Sequence, residues 1–257
     1  HAAALSSPWG TEEAFHLSNV VATQLLIEQA KARGVSKFVF ISTPSLYFAL
    51  KDQLEVTEDM PLPRPINAYA RTKRAAELEV MASGIPYVIF RPRALIGRGD
   101  TVIMPRLIRA QAEGKLRRMG QGRNVVDLTP VANAVDAVLL GLDAQGDALN
   151  QVYNLSNGAP VMLWPTMDAV FQDLKLDPLQ RSVAGWVVLA VARGMEWHAK
   201  WFNGNLEPAL TVYGVGTLIK SFSLDITKAK RLLNYVPRQS VEEALAEFVE
   251  WHEKRKA

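Results

Sequence analysis

Lys37-Phe-Val-Phe-Ile-Ser-Thr43 is a short apolar run that predicts a buried strand with two hydroxyl residues at its end. A helical pattern follows in Asn67-Ala-Tyr-Ala-Arg-Thr-Lys-Arg-Ala-Ala-Glu-Leu-Glu79 and stops at Gly84. Pro86-Tyr-Val-Ile-Phe-Arg-Pro92 then predicts a second buried strand. Apolar strands that alternate with helices are typical of a parallel sheet covered on both faces. We therefore expect an α/β fold built on a doubly wound parallel sheet.

Tyr69 and Lys73 are the most informative pair of residues in this chain. Residues four apart lie on the same face of a helix. A phenol beside an ammonium group is a proton-transfer device, because a nearby positive charge favours the phenolate and lowers the tyrosine pKa. Tyr47 and Lys51 have the same spacing, but the residues from Lys51 to Pro61 predict a loop rather than a helix. We therefore select Tyr69 and Lys73 as the functional pair.

Ser42 and Thr43 end the first predicted strand, where parallel sheets present their active residues. A hydroxyl there can hydrogen-bond the carbonyl or alcohol oxygen that Tyr69 protonates or deprotonates. We assign this role to Thr43, with Ser42 as its alternative. The order of a strand ending in Ser/Thr, a Tyr-x-x-x-Lys pair and a strand ending in Arg91-Pro92-x-x-x-x-Gly97 resembles the extended short-chain dehydrogenase/reductase superfamily.

The resemblance covers essentially the whole chain and is closest to the 3β-hydroxysteroid dehydrogenase branch. Ala2-Ala-Ala-Leu-Ser-Ser-Pro-Trp-Gly10 and Gly114-Lys-Leu-Arg-Arg-Met-Gly120 are among the segments that carry it. It implies the remainder of a Rossmann-like dinucleotide-binding domain at residues 1–100. It also implies a smaller, mixed substrate lobe at residues 101–257, with segments that return to the sheet. The implied reaction is hydride transfer between NAD or NADP and a secondary alcohol or ketone on a bulky hydrophobic substrate, sterol-like or a long-chain β-keto acid.

The same resemblance implies the roles of individual residues. Tyr69 is the acid/base, Lys73 lowers its pKa and holds the nicotinamide ribose, and Thr43 orients the substrate oxygen. The Gly-x-x-Gly-x-x-Gly turn that cradles the phosphates in such enzymes does not occur in this sequence, and we expect it to lie upstream. The choice between NAD and NADP therefore cannot be read. The predicted cofactor-binding residues are His1, Ala2, Ala3, Asn19, Ser42, Tyr69, Lys73 and Pro92.

Composition argues against several other classes of function. The chain has 257 residues, 49% of them hydrophobic and 21% charged, which is typical of a soluble globular protein. A net charge of +3 is too small and dispersed to indicate a nucleic-acid partner. The absence of cysteine excludes disulfides and thiolate metal sites, and the four histidines lack ligand spacing, so no metal is expected. We expect a cytoplasmic homodimer, with peripheral membrane contact left open.

Two surface features have alternative interpretations. Lys115, Arg117, Arg118 and Arg123 form the densest basic cluster, either a solvated loop or a grip on an anionic substrate or cofactor phosphate. The apolar stretch from Ser182 to Phe202 predicts a helix with tryptophans and an arginine near one face. Core packing is the default interpretation of that face, and a wall over the substrate or shallow membrane contact are the others. The residues of the face are Trp186, Arg193, Trp197 and Trp201.

Two other functions remain open. A nucleotide-sugar epimerase or dehydratase would share the fold, but such enzymes commonly place an arginine just before the Asp-Phe/Leu of a late strand to hold the diphosphate. Here Val126 precedes Asp127-Leu128. A dinucleotide-binding regulator without catalysis is the other alternative. Such proteins often lose the tyrosine or the lysine, whereas Tyr69 and Lys73 are both present.

Overall fold

The computed structural model describes residues 1–179, 181–202 and 206–255. Its strands are short and form four separate sheets. In chain order the strands are β1 (Phe38–Ile41), β2 (Gln53–Val56), β3 (Tyr87–Pro92), β4 (Leu95–Ile96), β5 (Arg118–Met119), β6 (Val125–Val126), β7 (Thr129–Pro130), β8 (Gln151–Leu155), β9 (Val161–Met162), β10 (Ser182–Val183) and β11 (Phe222–Leu224).

Helices separate most of these strands. Three departures from α-helical geometry occur among them, a π-helical segment at His16–Val21 and 3₁₀ turns at Pro44–Tyr47 and Gly146–Ala148. The α-helices are α1 (Glu12–Phe15), α2 (Ala22–Ala32), α3 (Ala68–Ala82), α4 (Ile103–Ala112), α5 (Val131–Asp143), α6 (Leu163–Asp173), α7 (Gly185–Phe202), α8 (Val212–Ile219), α9 (Thr227–Leu233) and α10 (Val241–Lys254).

The central sheet has the order β1-β3-β8, and both of its strand pairs are parallel. Phe40 and Ile89 pack with α2 and α3 on one face, while Phe90 packs with α5 and α9 on the other. The α5 helix approaches β3 so closely that a Cβ on Gly141 would lie 2.7 Å from the Phe90 ring. Helices on both faces of a parallel sheet confirm the predicted doubly wound α/β fold.

His1 continues this sheet beyond β1. Its amino group donates a 2.7 Å hydrogen bond to the Val39 carbonyl, and its own carbonyl accepts a 3.0 Å hydrogen bond from the Ile41 amide. The His1 ring packs against Phe40, with the ring centroids 5.3 Å apart. These contacts place His1 along the edge of the sheet, next to the strand that leads to Thr43.

A second sheet, of order β2-β11-β6-β9, is mixed, because β6 and β9 are antiparallel and its other pairs are parallel. The prediction of a loop from Lys51 to Pro61 is wrong in part, since β2 lies there. This strand is stabilised by pairing with β11, whose residues lie far away in the sequence. The boundary near residue 100 stays a prediction, and β2 shows that the second sheet also uses residues before it.

The helical segment from Glu12 to Ala32 is not regular. The Thr11 hydroxyl caps α1 by accepting from the Ala14 amide at 3.2 Å. The six residues of the π-helical segment then widen the helix before α2 begins. Such π-bulges occur frequently at functional sites. This one carries Asn19, a predicted cofactor residue.

Core packing is the wrong interpretation for the tryptophans of α7. Trp186, Trp197 and Trp201 are 76%, 58% and 73% exposed, and Arg193 is exposed too. The helix instead buries its small and β-branched residues Val188, Ala192 and Ala199. Within the described part of the chain, no helix combines the length and the apolar character that crossing a bilayer requires.

Candidate active site

Tyr69 lies in the first turn of α3, and the Asn67 side chain caps this helix by accepting from the Ala70 amide at 2.9 Å. The Tyr69 hydroxyl lies near the side chains of Ser6 and Thr43, close enough for both to act on its pKa. Burial raises the pKa of Tyr69, the hydroxyl groups of Ser6 and Thr43 oppose that rise, and Tyr213 adds to it. The structure therefore brings together the phenol and the strand-end hydroxyl that the sequence predicted, and it adds Ser6.

Lys73 is buried one helical turn beyond Tyr69. Its ammonium donates a 2.6 Å hydrogen bond to the Ile41 carbonyl and lies 4.1 Å from the centroid of the Phe40 ring. Burial lowers the pKa of Lys73 to about 8, although Glu77 acts in the opposite direction. The expectation that Lys73 lowers the Tyr69 pKa stays a prediction, since burial causes the upward shift of Tyr69 and Lys73 is not among the groups that act on it.

Thr43 begins a chain of hydroxyl groups that runs away from Tyr69. Its Oγ1 donates to Ser45 Oγ at 2.9 Å, and Ser45 Oγ lies 2.6 Å from the Tyr213 hydroxyl. Tyr213 also packs edge-on against Phe48. Sequence reasoning missed Ser6, Ser45 and Tyr213. The two serines lie within segments that carry the family resemblance, whereas Tyr213 on α8 gives no local signal.

Asn19 fastens the segment that carries Ser6 to the helix that carries Tyr69. Its Oδ1 accepts from the Leu5 amide at 2.8 Å, and its Nδ2 donates to the Leu5 carbonyl at 3.2 Å and to Thr72 Oγ1 at 3.0 Å. Thr72 follows Tyr69 by three residues and bonds back to the α3 backbone. The buried Asn19 thus positions two sides of the site at once.

The described residues fit a dinucleotide along the edge formed by His1–Ala3 and the end of β1. Ser42 Oγ is buried there without a hydrogen-bond partner, although buried polar atoms are normally paired. Ala2 and Ala3 are exposed, and their small side chains leave the backbone approachable. Pro92 ends β3, in register with Leu155 of β8. Outside α3, the predicted cofactor residue His1 therefore lies on the sheet edge, with Ala2 and Ala3 directly after it. Ser42 and Pro92 lie at strand ends, and Asn19 bonds to the backbone of Leu5.

Tyr47, from the second Tyr-x-x-x-Lys pair, is part of the buried core. Tyr47 is fully buried in the 3₁₀ turn, where its hydroxyl accepts from Arg91 and donates to Asn154 Oδ1 at 2.9 Å. Arg91 in turn forms a buried ion pair with Glu77 at 2.6 Å. Burial raises the pKa of Tyr47 to about 12, and Lys51 is exposed. The choice of Tyr69 over Tyr47 agrees with this arrangement.

The basic cluster is largely neutralised by its surroundings. Arg118 forms an ion pair with Asp168 at 2.6 Å, Lys115 pairs with Glu113 at 2.8 Å, and Arg117 donates to backbone carbonyls. The interpretation as a solvated surface therefore fits better than a grip on an anion. Among the residues that the structure describes, no cluster of histidine, aspartate and glutamate could hold a metal ion.

Known proteins resemble this chain over nearly its full length. Residues 1–156 match the family model of the NAD dependent epimerase/dehydratase family. The Escherichia coli K12 protein YbjS, itself uncharacterized, is 36% identical over 98% of this chain and 76% of its own length. A 2-alkyl-3-oxoalkanoate reductase from Stenotrophomonas maltophilia is 28% identical over 95% of this chain and 77% of its own length.

A bovine relative and a solved structure extend the comparison. The decarboxylating sterol-4-alpha-carboxylate 3-dehydrogenase of Bos taurus is 28% identical over 95% of this chain and 71% of its own length. The crystal structure of UDP-glucuronic acid 4-epimerase from Bacillus cereus, in complex with NAD, superposes with a TM-score of 0.74 at 22% identity, over 99% of this chain and 74% of that one. At that identity the likeness concerns the fold.

Proposed function

Since this chain belongs to the NAD-dependent epimerase/dehydratase family, we propose that it interconverts a secondary alcohol and a ketone on a bulky hydrophobic substrate. The contact of Tyr69 with Thr43 carries this proposal, because it joins an acid/base to a hydroxyl that can orient the reacting oxygen. A bound nicotinamide dinucleotide, NAD or NADP, supplies the hydride in reduction and accepts it in oxidation.

We propose that the proton passes directly between Tyr69 and the substrate oxygen. In reduction, Tyr69 donates its phenolic proton to the substrate oxygen, and in oxidation its phenolate removes the alcohol proton. Thr43 holds the same oxygen by a hydrogen bond. Because burial raises the Tyr69 pKa, the phenol is fully protonated at neutral pH and suits the reductive direction. Lys73, fixed beside the end of β1, is proposed to hold the nicotinamide ribose together with Ser42.

The relatives point to the chemistry of the substrate. Two of them are named for substrates that carry a carboxylate β to the carbon that is oxidised or reduced, a 2-alkyl-3-oxoalkanoate in one and a sterol-4-carboxylate acting at position 3 in the other. We propose a substrate of this kind, either a long-chain β-keto acid or a sterol-like acid. A nucleotide-sugar reaction is the alternative, but Val126 still stands where such enzymes commonly carry an arginine.

The test compares two tyrosine variants that share the Tyr-x-x-x-Lys pattern. In the full-length protein, Tyr69→Phe should lower turnover by about 10²- to 10⁴-fold, the usual contribution of general acid–base catalysis. Cofactor binding, measured by fluorescence titration with NADH and NADPH, should change little. Tyr47→Phe should keep its turnover per folded molecule. Near-normal turnover in Tyr69→Phe would contradict the assignment, and saturation by a UDP-sugar would favour the alternative.

We also propose two associations for the protein, a peripheral membrane contact and a homodimer. The exposed tryptophans of α7 lie beside the exposed cations Arg181, Arg193 and Lys200, and such a combination suits the surface of an anionic membrane. For the dimer, α2 and α3 are joined by a 2.9 Å hydrogen bond from Gln24 to Glu79, and both helices expose leucines. These leucines are Leu25, Leu26 and Leu78.

A further inference from the structure

Arg93 lies directly after β3, between the central sheet and the hydroxyl chain of the site. Its amide donates a 2.9 Å hydrogen bond to the Leu155 carbonyl, and its carbonyl accepts from the Thr129 hydroxyl. Its guanidinium carbon lies 4.9 Å from the centroid of the Phe222 ring, and Tyr213 is near enough to act on the pKa of the side chain. Backbone and side chain are therefore both held in place.

The charge of this guanidinium is not matched by an ion pair. Within the described residues, the arginines that pair with carboxylates are Arg71, Arg91, Arg106, Arg118 and Arg238. The Nε of Arg93 is buried and has no hydrogen-bond partner, although the residue as a whole keeps some exposure to solvent. A desolvated, partly satisfied guanidinium is costly, and an anion that bonds to it removes that cost.

Asp127 is the carboxylate whose charge acts on Arg93. Burial lowers the pKa of Arg93, and Tyr213 and Asp127 oppose that shift. Asp127 forms no ion pair with Arg93, since its Oδ2 accepts from the Leu224 amide at 2.6 Å and its Oδ1 is buried without a hydrogen-bond partner. Arginine stays charged at neutral pH even when its pKa is lowered, so the site keeps a cation.

A row of polar side chains lies between Arg93 and the acid/base. Tyr213 is near enough to Arg93 to act on its pKa, and the Tyr213 hydroxyl lies 2.6 Å from Ser45 Oγ. Ser45 accepts from Thr43, which contacts the Tyr69 hydroxyl. Arg93 and the reacting centre therefore border the same row of polar side chains, with the hydroxyl groups of Thr43, Ser45 and Tyr213 between them.

We propose that Arg93 binds the carboxylate of the substrate and thereby selects acids whose alcohol or ketone lies β to that carboxylate. This inference rests on the proposed function, which places the reacting oxygen at Tyr69 and Thr43. A carboxylate matches the planar donors of one guanidinium. A diphosphate carries more negative charge than one guanidinium offsets. The Arg93 site thus favours a monoanion.

Paired substrates separate this role from a structural one. A 2-alkyl-3-hydroxyalkanoic acid and its methyl ester differ in charge, and both can be followed in the oxidative direction by nicotinamide absorbance. The full-length protein should prefer the acid. Arg93→Met should lower kcat/KM for the acid by about 10- to 100-fold, chiefly through KM, and leave the ester nearly unchanged. Arg93→Lys should recover part of the loss.

Arg118→Met is the matched control, since it removes an arginine of the basic cluster that is already paired with Asp168. It should leave the preference for the acid intact. Equal losses on acid and ester in Arg93→Met would show a structural role and overturn the proposal. An absence of preference for the acid in the unaltered protein would do the same, and so would UDP-glucose binding that depends on Arg93.

A binding measurement distinguishes failure of this inference from failure of the proposed function. If the folded protein oxidises neither compound, the redox proposal is wrong. Calorimetric titration with the acid and the ester then tests carboxylate binding by Arg93 independently of turnover. Binding that favours the acid and disappears in Arg93→Met supports the carboxylate site without any turnover, whereas equal binding of the two compounds overturns it.

Discussion

The Lys73 ammonium donates its 2.6 Å hydrogen bond to the Ile41 carbonyl and so joins the middle of α3 to the end of β1. Tyr69, Lys73 and Glu77 follow one another at intervals of four residues and therefore share one face of α3. Their partners are Thr43, Ile41 and Arg91, which lie at or beyond the ends of the two neighbouring strands β1 and β3. One helix face thus supplies the acid/base, a buried cation and a buried ion pair.

The buried ammonium predicts a pH-dependent stability. The pKa of Lys73 is about 8 in the folded protein, against a model-compound value of 10.5. The unfolded chain therefore binds more protons between these values, and the free energy of unfolding due to Lys73 should rise from pH 8 upward. The slope should not exceed about 1.4 kcal/mol per pH unit. Urea unfolding at pH 7.5, 8.5 and 9.5 should show this rise in the unaltered protein and its loss in Lys73→Met. Parallel pH profiles of the two proteins would contradict the prediction.

The ion pair of Arg91 with Glu77 predicts a large loss of stability on truncating one partner. Glu77→Gln leaves a buried guanidinium without its counter-charge, and such changes typically cost about 3–5 kcal/mol. Glu12→Gln is the control, because Glu12 and Arg71 form an exposed pair whose loss should cost less than about 1 kcal/mol. Chemical denaturation measures both. Similar midpoints for the two variants would show that burial does not set the strength of the inner pair.

Asn19 bonds to the backbone of Leu5 and to Thr72, and we predict that losing these bonds will loosen the chain around Leu5 and lower turnover. Asn19→Ala removes three hydrogen bonds from a buried site and should cost about 2 kcal/mol of stability. The released segment should exchange its Leu5 amide faster, and turnover should fall because Ser6 no longer lies beside the Tyr69 hydroxyl. Hydrogen exchange followed by mass spectrometry reports the first effect. Thr72→Val is the control, since it keeps both Leu5 bonds, and it should leave the exchange of Leu5 slow.

Sequence alone predicts the central sheet because its information is local. The apolar runs at residues 38–41 and 87–92 are long enough to predict strands, and the helix between them has a cap and a stop. The strand β2 was missed, because Gln53-Leu-Glu-Val56 is only four residues long, its burial does not follow its polar–apolar alternation, and it is held by β11 from far along the chain. Local propensity does not contain such a partner.

The candidate site also combines residues that the local sequence predicts with contacts that only the fold creates. Thr43, Tyr69 and Lys73 follow from motif spacing, but the direction of the Lys73 ammonium depends on which carbonyl lies nearest in the fold. Tyr213 joins the site across 168 positions from Ser45, so nothing near either residue predicts their contact. The hydrophobicity of α7 was read as core packing, because an apolar pattern does not reveal whether another element covers it. Only the fold supplies that information.

The exposed leucines of α2 and α3 predict the interface of the proposed homodimer. Leu25→Glu combined with Leu78→Glu puts charges on both helices and should give a monomer, because a charge buried in an interface is poorly compensated. Light scattering coupled to size-exclusion chromatography measures the mass. Leu142→Glu, at an exposed position of α5, is the control and should leave the dimer intact. A dimer that persists in the double variant would exclude this face as the interface.

The tryptophan face of α7 predicts binding to vesicles that contain anionic phospholipid. Trp186→Ser combined with Trp201→Ser removes the two most exposed tryptophans of the helix and should weaken co-sedimentation by at least about tenfold, since each large apolar side chain is worth more than 1.4 kcal/mol when buried. Raising the salt concentration should weaken binding further, because Arg193 and Lys200 attract the lipid headgroups. Leu139→Ser with Leu142→Ser, on the exposed side of α5, is the control and should bind like the unaltered protein. The membrane proposal is wrong if both double variants bind the vesicles equally, or if the unaltered protein does not bind them. The alternative is that the tryptophans form a wall over the substrate. In that case the KM for a long-chain substrate should rise in the tryptophan variant alone.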